Sequence, residues 1–429
     1  METPRPGNAS ATSTATQGLP ARAIEAIVPH RLGVSFRWLL AATFVNNAGD
    51  GVVVAAGPLL VASQTHDPFL VSLALLSEYL PVLLFGVIGG VAADRFDRRR
   101  MVVVVNLIRA AVLAVLVVTI VSGTVTIAVV LATLFALGTA ETFADSASST
   151  LIPSLVQRVD LGLANARMQG AFLLVNQLVG PPIGAFLFAV GMALPFTTNA
   201  AAFALGAVLV SRVTVSTRQL AGERSGFRAE MAEGIRWLAG HPPMRTLALT
   251  ILTFNVTFGA AWSVLVLYAT QRLGMDAVGF GLLTTAVAVG GVIGAFIYGA
   301  LERRFSLADI MRVGLLIETF THLTLALTTS AVVALAVLVV FGAHAFVWGT
   351  TSTVVRQRAV PNELMGRVSG VYRVAIVGGL VVGTPLGGLL ATAFGITAPF
   401  WFAFVGSALL VTLLWRQFEH ITHAEAVEP

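Results

Sequence analysis

A short, strongly charged turn between two long apolar runs constrains this chain more than any other feature. Residues 90–100 carry four arginines and two aspartates, and apolar runs at 70–91 and 101–121 flank this charged stretch. Each run is long enough to cross about 30 Å of hydrocarbon as a helix. The pattern predicts a helical hairpin in a membrane, with its charged turn in water.

The composition indicates that lipid is the main solvent of the chain. Hydrophobic residues make up 56% of its 429 residues and charged residues 11%, whereas soluble domains average about 25% charged residues. The arginines lie in short clusters and build no basic face, so no nucleic-acid partner is expected. The chain has no cysteine, which excludes disulfides, thiolate metal sites and a cysteine nucleophile. We expect no metal or other cofactor.

Apolar segments that could span a membrane follow one another along the chain, and we count twelve. They cover residues 36–62, 70–92, 101–121, 125–147, 165–190, 194–212, 246–269, 278–300, 306–329, 331–354, 372–395 and 397–416. Basic loops resist translocation, and nearly all the arginines fall in alternate loops. We therefore expect both termini in the cytoplasm, with a disordered tail at 1–35 and a second tail at 417–429.

The two halves of the chain repeat one another. A shift of 208 residues superposes Arg37 on Arg245, Asn47 on Asn255, Gly86 on Gly294, Asp94 on Glu302 and Arg95 on Arg303. A slightly smaller shift brings residues 179–184 onto 382–387. The repeat predicts parallel six-span halves at 36–212 and 246–416, with a substrate site near the midplane where they meet.

A charged linker at 213–245 joins the halves. Apolar side chains recur in it at helical spacing, with charged residues between them, at Phe227, Met231, Ile235 and Leu238. This amphipathic pattern predicts a helix that lies on the inner membrane surface. A protein-binding helix is the alternative.

With these features assembled, residues 36–416 resemble the major facilitator superfamily, in particular its drug:proton antiporters with twelve spans, which include macrolide efflux pumps and the enterobactin exporter. The family pattern Gly-x-x-x-Asp-Arg-x-Gly-Arg-Arg is met by Gly90, Asp94, Arg95, Arg98 and Arg99. Asp97 replaces the usual second glycine. The resemblance implies an all-α membrane protein with twelve transmembrane helices in two pseudo-symmetric six-helix bundles, the major facilitator fold.

The resemblance also implies that the charged turn is a latch of the cytoplasmic gate. In the family, the aspartate meets the positive end of a helix in the other bundle, and the arginines bind carboxylates and lipid phosphates. A carboxylate at a helix N-terminus gains about 0.3 to 1 kcal/mol when exposed and up to about 2 kcal/mol when partly buried. In the alternative, these charges only set topology.

A second motif lies in the fifth predicted span. Gly180, Pro181 and Gly184 resemble the Gly-Pro-x-x-Gly-Gly signature that the family associates with antiporters, with Ala185 in place of the last glycine. Small residues allow close helix approach and proline bends a helix, so the segment could act as a hinge or a tight seal between bundles. Simple packing is the alternative.

A third family element, an arginine inside the fourth span, is missing. That span holds Glu141 and Asp145 instead. Arg109 lies about 12 Å into the third span at the helical rise, and we hypothesise that it pairs with Glu141. We otherwise expect Glu141 to belong to the inner gate, close to the cytoplasmic face.

Ionisable groups inside spans cost about 2.5 to 3.5 kcal/mol on insertion scales and are therefore functional candidates. Asp50 lies roughly 21 Å from the cytoplasmic end of the first span, and Glu78 of the second span lies at about the same height. Two carboxylates at one level can share a proton, which suits proton coupling by Asp50, Glu78, Glu141 and Arg109. Alternatively, Asp50 braces its glycine-flanked helix by hydrogen bonding.

Polar residues on the helices that the resemblance places around the cavity are candidates for substrate contact. They are Asn46, Asn47, Asn255, Trp262 and His344. Packing is the alternative role for each. Glu318 and His322, one turn apart in the ninth span, could form a proton relay, but the family places that span at the periphery, which favours a structural pair.

These features predict a bacterial inner-membrane exporter that moves a hydrophobic or amphipathic small molecule outward by alternating access, driven by proton entry. Its expected partners are the small-molecule substrate, protons and membrane lipids, and it is expected to be a monomer. An importer or lysophospholipid flippase of the same fold and a non-transporting receptor or scaffold are alternatives. No nucleophile lies at credible spacing from a base, so an enzyme is not expected.

Overall fold

The computed structural model describes residues 30–214 and 227–422. The described residues are helical apart from short turns. The predictions for most of the N-terminal tail, for part of the linker and for the end of the C-terminal tail lie outside the described residues. Within the first predicted tail, however, the first long helix already begins at Gly33, and Phe36 just beyond it is fully buried.

The N-terminal half, residues 30–214, contains seven labelled helices. They are α1 (Gly33–Gln64), α2 (Pro68–Arg95), α3 (Arg98–Val121), α4 (Ile127–Leu155), α5 (Leu161–Ala171), α6 (Gly180–Val190) and α7 (Leu194–Ser211). Asp67, Asp97 and Thr126 each accept a hydrogen bond from a backbone N–H at the start of α2, α3 and α4. These caps satisfy amides that the helix itself leaves free.

The C-terminal half, residues 227–422, contains eight labelled helices. They are α8 (Phe227–Gly240), α9 (Pro242–Trp262), α10 (Ala277–Arg304), α11 (Leu307–Leu327), α12 (Ala331–Ala359), α13 (Met365–Phe394), α14 (Ala398–Leu414) and α15 (Gln417–Thr422). The linker helix α8 contacts α13 of the same half. Glu233 Oε1 accepts a hydrogen bond of 2.6 Å from Arg367 Nη1, and Gly234 packs against the backbone of Arg367 at the start of α13.

A π-helix at Phe172–Val179 joins α5 to α6. The N–H of Gly180 bonds to the carbonyl of Val175, and the next two residues, Pro181 and Pro182, have no N–H to offer. A proline breaks the regular ladder, and wider turns of this kind are frequent at functional sites. A second π-helix, Tyr268–Arg272, follows α9.

Eleven helical segments of the described chain are long and apolar enough to cross a membrane, with Arg158–Val190 counted as one. The last predicted span, 397–416, corresponds to the shorter apolar helix α14 of 17 residues. The prediction of a multi-span all-helical membrane protein is thus confirmed.

The helix ends correct the repeat by one residue. Helices α2 and α10 begin at Pro68 and Ala277 and end at Arg95 and Arg304, which is a shift of 209 residues rather than 208. The capping residues agree, since Asp97 starts α3 and Ser306 starts α11. The turn before α3 and the turn before α11 are therefore equivalent at a shift of 209 residues. The like charges that the shift of 208 matched, Asp94 with Glu302 and Arg95 with Arg303, lie one residue out of register.

Packing differs between the two ends of the molecule. At the end far from the charged turn, one apolar cluster takes residues from both halves, including Leu60, Val71, Phe280 and Phe400. At the charged-turn end, two separate clusters are each confined to one half. The halves are therefore packed together at one end and apart at the other.

Candidate functional site

A cavity of about 1010 Å³ lies between the halves and reaches the charged turn. Its walls come mainly from α1, α2, α4, α5 and the π-helix. The C-terminal half adds residues of α13 and Met231 of the linker helix. Its charged lining residues are Asp50, Glu78, Asp94, Glu141, Asp145, Arg109 and Arg373. Five acids against two arginines make the lining net acidic.

Arg109 forms the centre of the charged cluster. Its Nη2 lies 2.7 Å from Asp50 Oδ1 and 3.7 Å from Glu141 Oε2. Its side chain is only 4% exposed, and its guanidinium carbon lies 3.9 Å from the centroid of the Phe203 ring. A guanidinium over an aromatic face gains cation–π attraction, and two carboxylates offset the burial of its charge. The third helix therefore carries the membrane-embedded arginine that the fourth lacks.

The structure corrects the expected depth of Glu141. The residue lies 14 positions from either end of α4, at the middle of the helix. Because α4 extends to Leu155, beyond the predicted span, this carboxylate lies in the middle of the helix and beside Arg109 instead of near the helix end. Glu141 and Arg109 thus meet as hypothesised.

Asp50 and Glu78 line the same cavity. The nearest ionic partner of Asp50 is, however, Arg109, because α1 and α3 both pack on α7 and these two side chains meet beside it. Glu78 is exposed to the cavity. The structure thus brings two acids, Asp50 and Glu141, to one arginine, where the sequence predicted a carboxylate pair of Asp50 and Glu78.

Asn46 and Asn47 both line the cavity. Asn46 Nδ2 donates to Asn106 Oδ1 at 3.5 Å, and Asn47 Nδ2 donates to the Thr43 carbonyl at 2.8 Å. The Oδ1 of Asn46 is buried and accepts no hydrogen bond within the described part of the chain. This amide retains an unused acceptor beside the charged cluster.

Asn255, Trp262 and His344 do not belong to the lining that the described residues give this cavity. Asn255 Nδ2 donates to the Ile251 carbonyl at 2.8 Å, Trp262 stacks on Phe258, and His344 bonds to Glu318. In this state, the C-terminal half contributes mainly α13 to the cavity, so residues of α9 and α12 are turned to their own neighbours.

In the charged turn, Asp97 accepts a hydrogen bond of 2.8 Å from the Arg100 N–H. The residue that departs from the family pattern is therefore a helix cap. Arg98 Nη1 donates to the Thr150 carbonyl at 3.2 Å and ties the turn to α4. Arg95 is exposed and Arg99 half-buried. Gly90 and Asp94 lie on the cavity side, and a side chain at Gly90 would meet open space.

The glycine-proline motif lies where helices meet closely. Gly180 packs on Gly51, and Gly184 packs on the Val52 backbone of α1. On its other side, α6 contacts α10 of the C-terminal half, where a Cβ at Gly281 would lie 3.3 Å from the Pro181 carbonyl oxygen. The motif therefore lies in a contact between the two halves.

Sequence reasoning missed Arg373. It lies eight residues into α13 and lines the cavity from the C-terminal half, while Asp145 of α4 lines it from the other half. An arginine inside an apolar helix was the signal that could have found it. It was missed because the predicted span starts at residue 372, which puts Arg373 at the edge of the membrane.

Comparisons with known proteins place the chain among membrane transporters. The family model described as Transmembrane secretion effector matches residues 24–428. The multidrug efflux pump Tap of Mycolicibacterium fortuitum is 29% identical over 384 residues, covering 84% of this chain and 90% of Tap. The enterobactin exporter EntS of Shigella boydii is 24% identical over 404 residues, covering 89% of this chain and 92% of EntS.

Solved structures show the same fold. A point mutant of the nucleoside transporter NupG superposes with a TM-score of 0.73 at 10% identity, covering 90% of this chain and 100% of NupG. A bacterial homologue of the lysosomal transporter Spinster, in an inward-facing conformation, gives a TM-score of 0.71 at 15% identity, covering 94% of this chain and 99% of the homologue.

A multi-pass membrane transporter of the major facilitator type is what these observations define. The chain belongs to the transmembrane secretion effector family of that superfamily, and it is a transporter rather than an enzyme.

Proposed function

We propose that this protein is a proton-coupled exporter of hydrophobic or amphipathic small molecules. The observation that carries the proposal is the cluster of Arg109 with Asp50 and Glu141 in the wall of a large, net acidic cavity. Relatives named as multidrug and enterobactin exporters support export. An acidic cavity favours substrates that carry positive charge beside an apolar surface.

Protons and substrate compete for the same carboxylates in this mechanism. A proton on Asp50 removes the negative charge that holds Arg109 at 2.7 Å, and the guanidinium turns towards Glu141. A cationic substrate gains most from the ionised acids, so its entry from the inside favours proton release. Export then follows from proton binding on the outer side and release on the inner side.

Closure of the inner side would bring Arg373 towards the acids of the other half. In the open cavity, Arg373 and Asp145 line the same space from the two halves. Without substrate, Arg373 can neutralise that carboxylate, and a bound cation would take its place. This competition links substrate binding to the movement of α13 against α4.

We also propose the finer topology. Two six-helix bundles, with α14 as the twelfth span, sit in a bacterial inner membrane with the charged turns and both termini in the cytoplasm. The arginines at the turn support this orientation. The turn around Asp94 would act as the latch that closes the inner side and would contact lipid phosphates, and the chain would work as a monomer.

Everted membrane vesicles test the proposal. With a proton gradient imposed and ethidium as the probe, a lipophilic aromatic cation, we expect ethidium transport and partial collapse of the gradient. Asp50→Asn should abolish both and leave expression intact. Asp276→Asn is the matched control, since Asp276 caps α10 outside the cavity and asparagine caps equally well. Ethidium movement unaffected by Asp50→Asn, or net uptake into intact cells, would contradict the proposal.

A further inference from the structure

A second buried cluster of titratable side chains lies in the C-terminal half, away from the cavity. Glu318 of α11 is fully buried. His322 Nε2 lies 2.8 Å from its Oε1, and His344 Nε2 of α12 lies 3.2 Å from its Oε2. Both histidine side chains are 2% exposed. The carboxylate is therefore held between two imidazoles.

The repeat relates this cluster to the one around Arg109. Helix α3 begins at Arg98 and α11 begins at Leu307, so Arg109 corresponds to Glu318. In the first half, the cation Arg109 on α3 meets the anion Glu141 on α4. In the second half, the anion Glu318 on α11 meets His344 on α12. The same position carries a titratable cluster of inverted sign in each half.

The charge balance of this cluster requires a proton. A carboxylate buried without a counter-charge is strongly disfavoured. The charged or titratable groups that act on Glu318, among the described residues, are the two histidines. The nearest charged residue of known position on α11 is Arg312, about 9 Å along the helix, and it pairs with Asp309 and Glu419. The cluster is neutral only when one proton is present beyond two neutral imidazoles.

The remaining polar atoms show room for proton exchange within the cluster. Each histidine uses Nε2 towards Glu318, while both Nδ1 atoms are buried without a partner among the described residues. The indole Nε1 of Trp348, on the same helix as His344, is likewise buried and unpartnered there. The two Nδ1 atoms could accept or release a proton when the helices shift, whereas the indole N–H can only donate a hydrogen bond.

An aromatic stack joins this cluster to the interior face of the C-terminal half. The His344 ring meets Phe341 edge-on at 6.0 Å, and Phe341 stacks on Phe258 of α9 at 5.8 Å. Phe258 lies on α9, which is the counterpart of α1 in the repeat. The stack therefore connects the cluster to the helix that corresponds to the one carrying Asp50.

We propose that Glu318, His322 and His344 form a second proton-binding site, which carries one proton in the C-terminal half. This site is occluded from the open cavity in the present state and exchanges its proton when the halves open towards the other side. The claim that this site takes part in proton coupling rests on the proposed export function. The claim that the site carries a proton is independent of that function.

Spectroscopy of the purified full-length protein tests occupancy. Nitrogen NMR of labelled histidine reports the charge of each of the seven imidazoles, with His322→Asn and His344→Asn giving the assignment, and infrared spectra report the Glu318 carboxyl. At a pH of about 7.5, where free imidazole is mostly neutral, we expect one proton on either an imidazole or the carboxyl, lost in Glu318→Gln. Two neutral imidazoles beside an ionised carboxylate would overturn the proposal.

The coupling ratio tests whether that proton moves. In proteoliposomes with the membrane potential clamped at zero, each coupled proton raises the limiting ethidium gradient about tenfold per pH unit imposed. We expect Glu318→Gln to lower the gradient by one such factor. Thr321→Val is the matched control, because its hydroxyl is buried on the same helix and has no hydrogen-bond partner in the described ranges.

The outcomes separate the two proposals. An unchanged gradient in Glu318→Gln would overturn the coupling role of the second site. Absence of any proton-driven gradient in the unaltered protein would refute the proposed export function, and the spectra would still decide proton occupancy. If Glu318→Gln fails to fold, His322→Asn and His344→Asn replace it in both experiments.

Discussion

At the scale of single residues, Arg109 shows how a charge is kept inside a membrane protein. Its guanidinium contacts Asp50 and Glu141 on two other helices and covers the ring of Phe203. Its Nε is buried and finds no hydrogen-bond acceptor among the residues that the structure describes. The charge of the guanidinium is balanced by two carboxylates, but one of its N–H groups has no acceptor there. A single proton on a carboxylate can therefore change the position of the guanidinium.

Removing the charge of Arg109 alone should destabilise the protein more than removing the charges of both Arg109 and Asp50. Arg109→Gln leaves Asp50 without its counter-charge, for which we expect a loss of about 3 to 5 kcal/mol. Arg109→Gln with Asp50→Asn should regain at least half of that loss. Denaturant unfolding in detergent, followed by tryptophan fluorescence, measures both, and additive effects of the two substitutions would contradict the direct coupling.

At the scale of helices, α6 illustrates how glycines place two elements. Gly180 and Gly184 let α6 touch the backbone of α1, while its other side contacts Gly281 of α10. The π-helix before Gly180 sets the direction in which α6 leaves. The motif that the family associates with antiporters is thus a three-helix contact that includes both halves.

Gly184→Ala should force α1 and α6 apart, because its Cβ would overlap the Val52 backbone. Backbone does not yield as a flexible side chain does, so we expect a loss of about 1 to 3 kcal/mol together with reduced transport. Gly170→Ala is the control, since a Cβ there meets nothing within 4 Å. Denaturant unfolding and ethidium efflux are measured for both variants. Equal stability and equal efflux of Gly184→Ala and Gly170→Ala would argue against a close contact between α6 and α1.

At the scale of the whole molecule, the structure is open at the charged-turn end and closed at the other. The closed end holds a cross-half hydrogen bond of 3.4 Å from Thr392 Oγ1 to Asp67 Oδ1, beside the close approach of Gly388 to Ser72. The proposed alternating access requires this end to separate during transport.

A cross-link at the closed end should therefore stop transport. The chain has no cysteine, so Asp67→Cys with Thr392→Cys introduces a single pair. Oxidation should reduce ethidium efflux to background, and reduction should restore it. Each single cysteine variant is the control. Full activity of the oxidised pair would show that this end does not need to open.

The open end gives the complementary prediction. Gly90 faces open space in this state, so Gly90→Leu should change stability by no more than about 0.5 kcal/mol. Closure would bring the C-terminal half onto this part of α2, so the same variant should slow efflux strongly. Gly162→Leu, also in open space, should leave both stability and efflux unchanged. Normal efflux by Gly90→Leu would exclude a tight latch at this glycine.

Much of the site was predictable from individual residues. Asp50, Glu78, Arg109 and Glu141 were identified because an ionisable group in an apolar run has few reasons to be there other than function. The sequence did not predict which of them meet. It predicted Asp50 beside Glu78, and the structure brings Asp50 to Arg109, because that contact depends on how α1 and α3 both pack on α7.

The sequence by itself determined the membrane-spanning helices, the charged turn and the repeat, because hydrophobicity, helix caps and charge act over short distances along the chain. Only the tertiary structure decided that Arg109 meets Asp50, that His344 turns to Glu318, and that the cavity opens at the charged-turn end. These features depend on contacts between residues far apart in sequence. The open end in particular depends on which end of the two halves buries its apolar surface jointly, and a repeat that is nearly symmetric in sequence leaves that choice to packing.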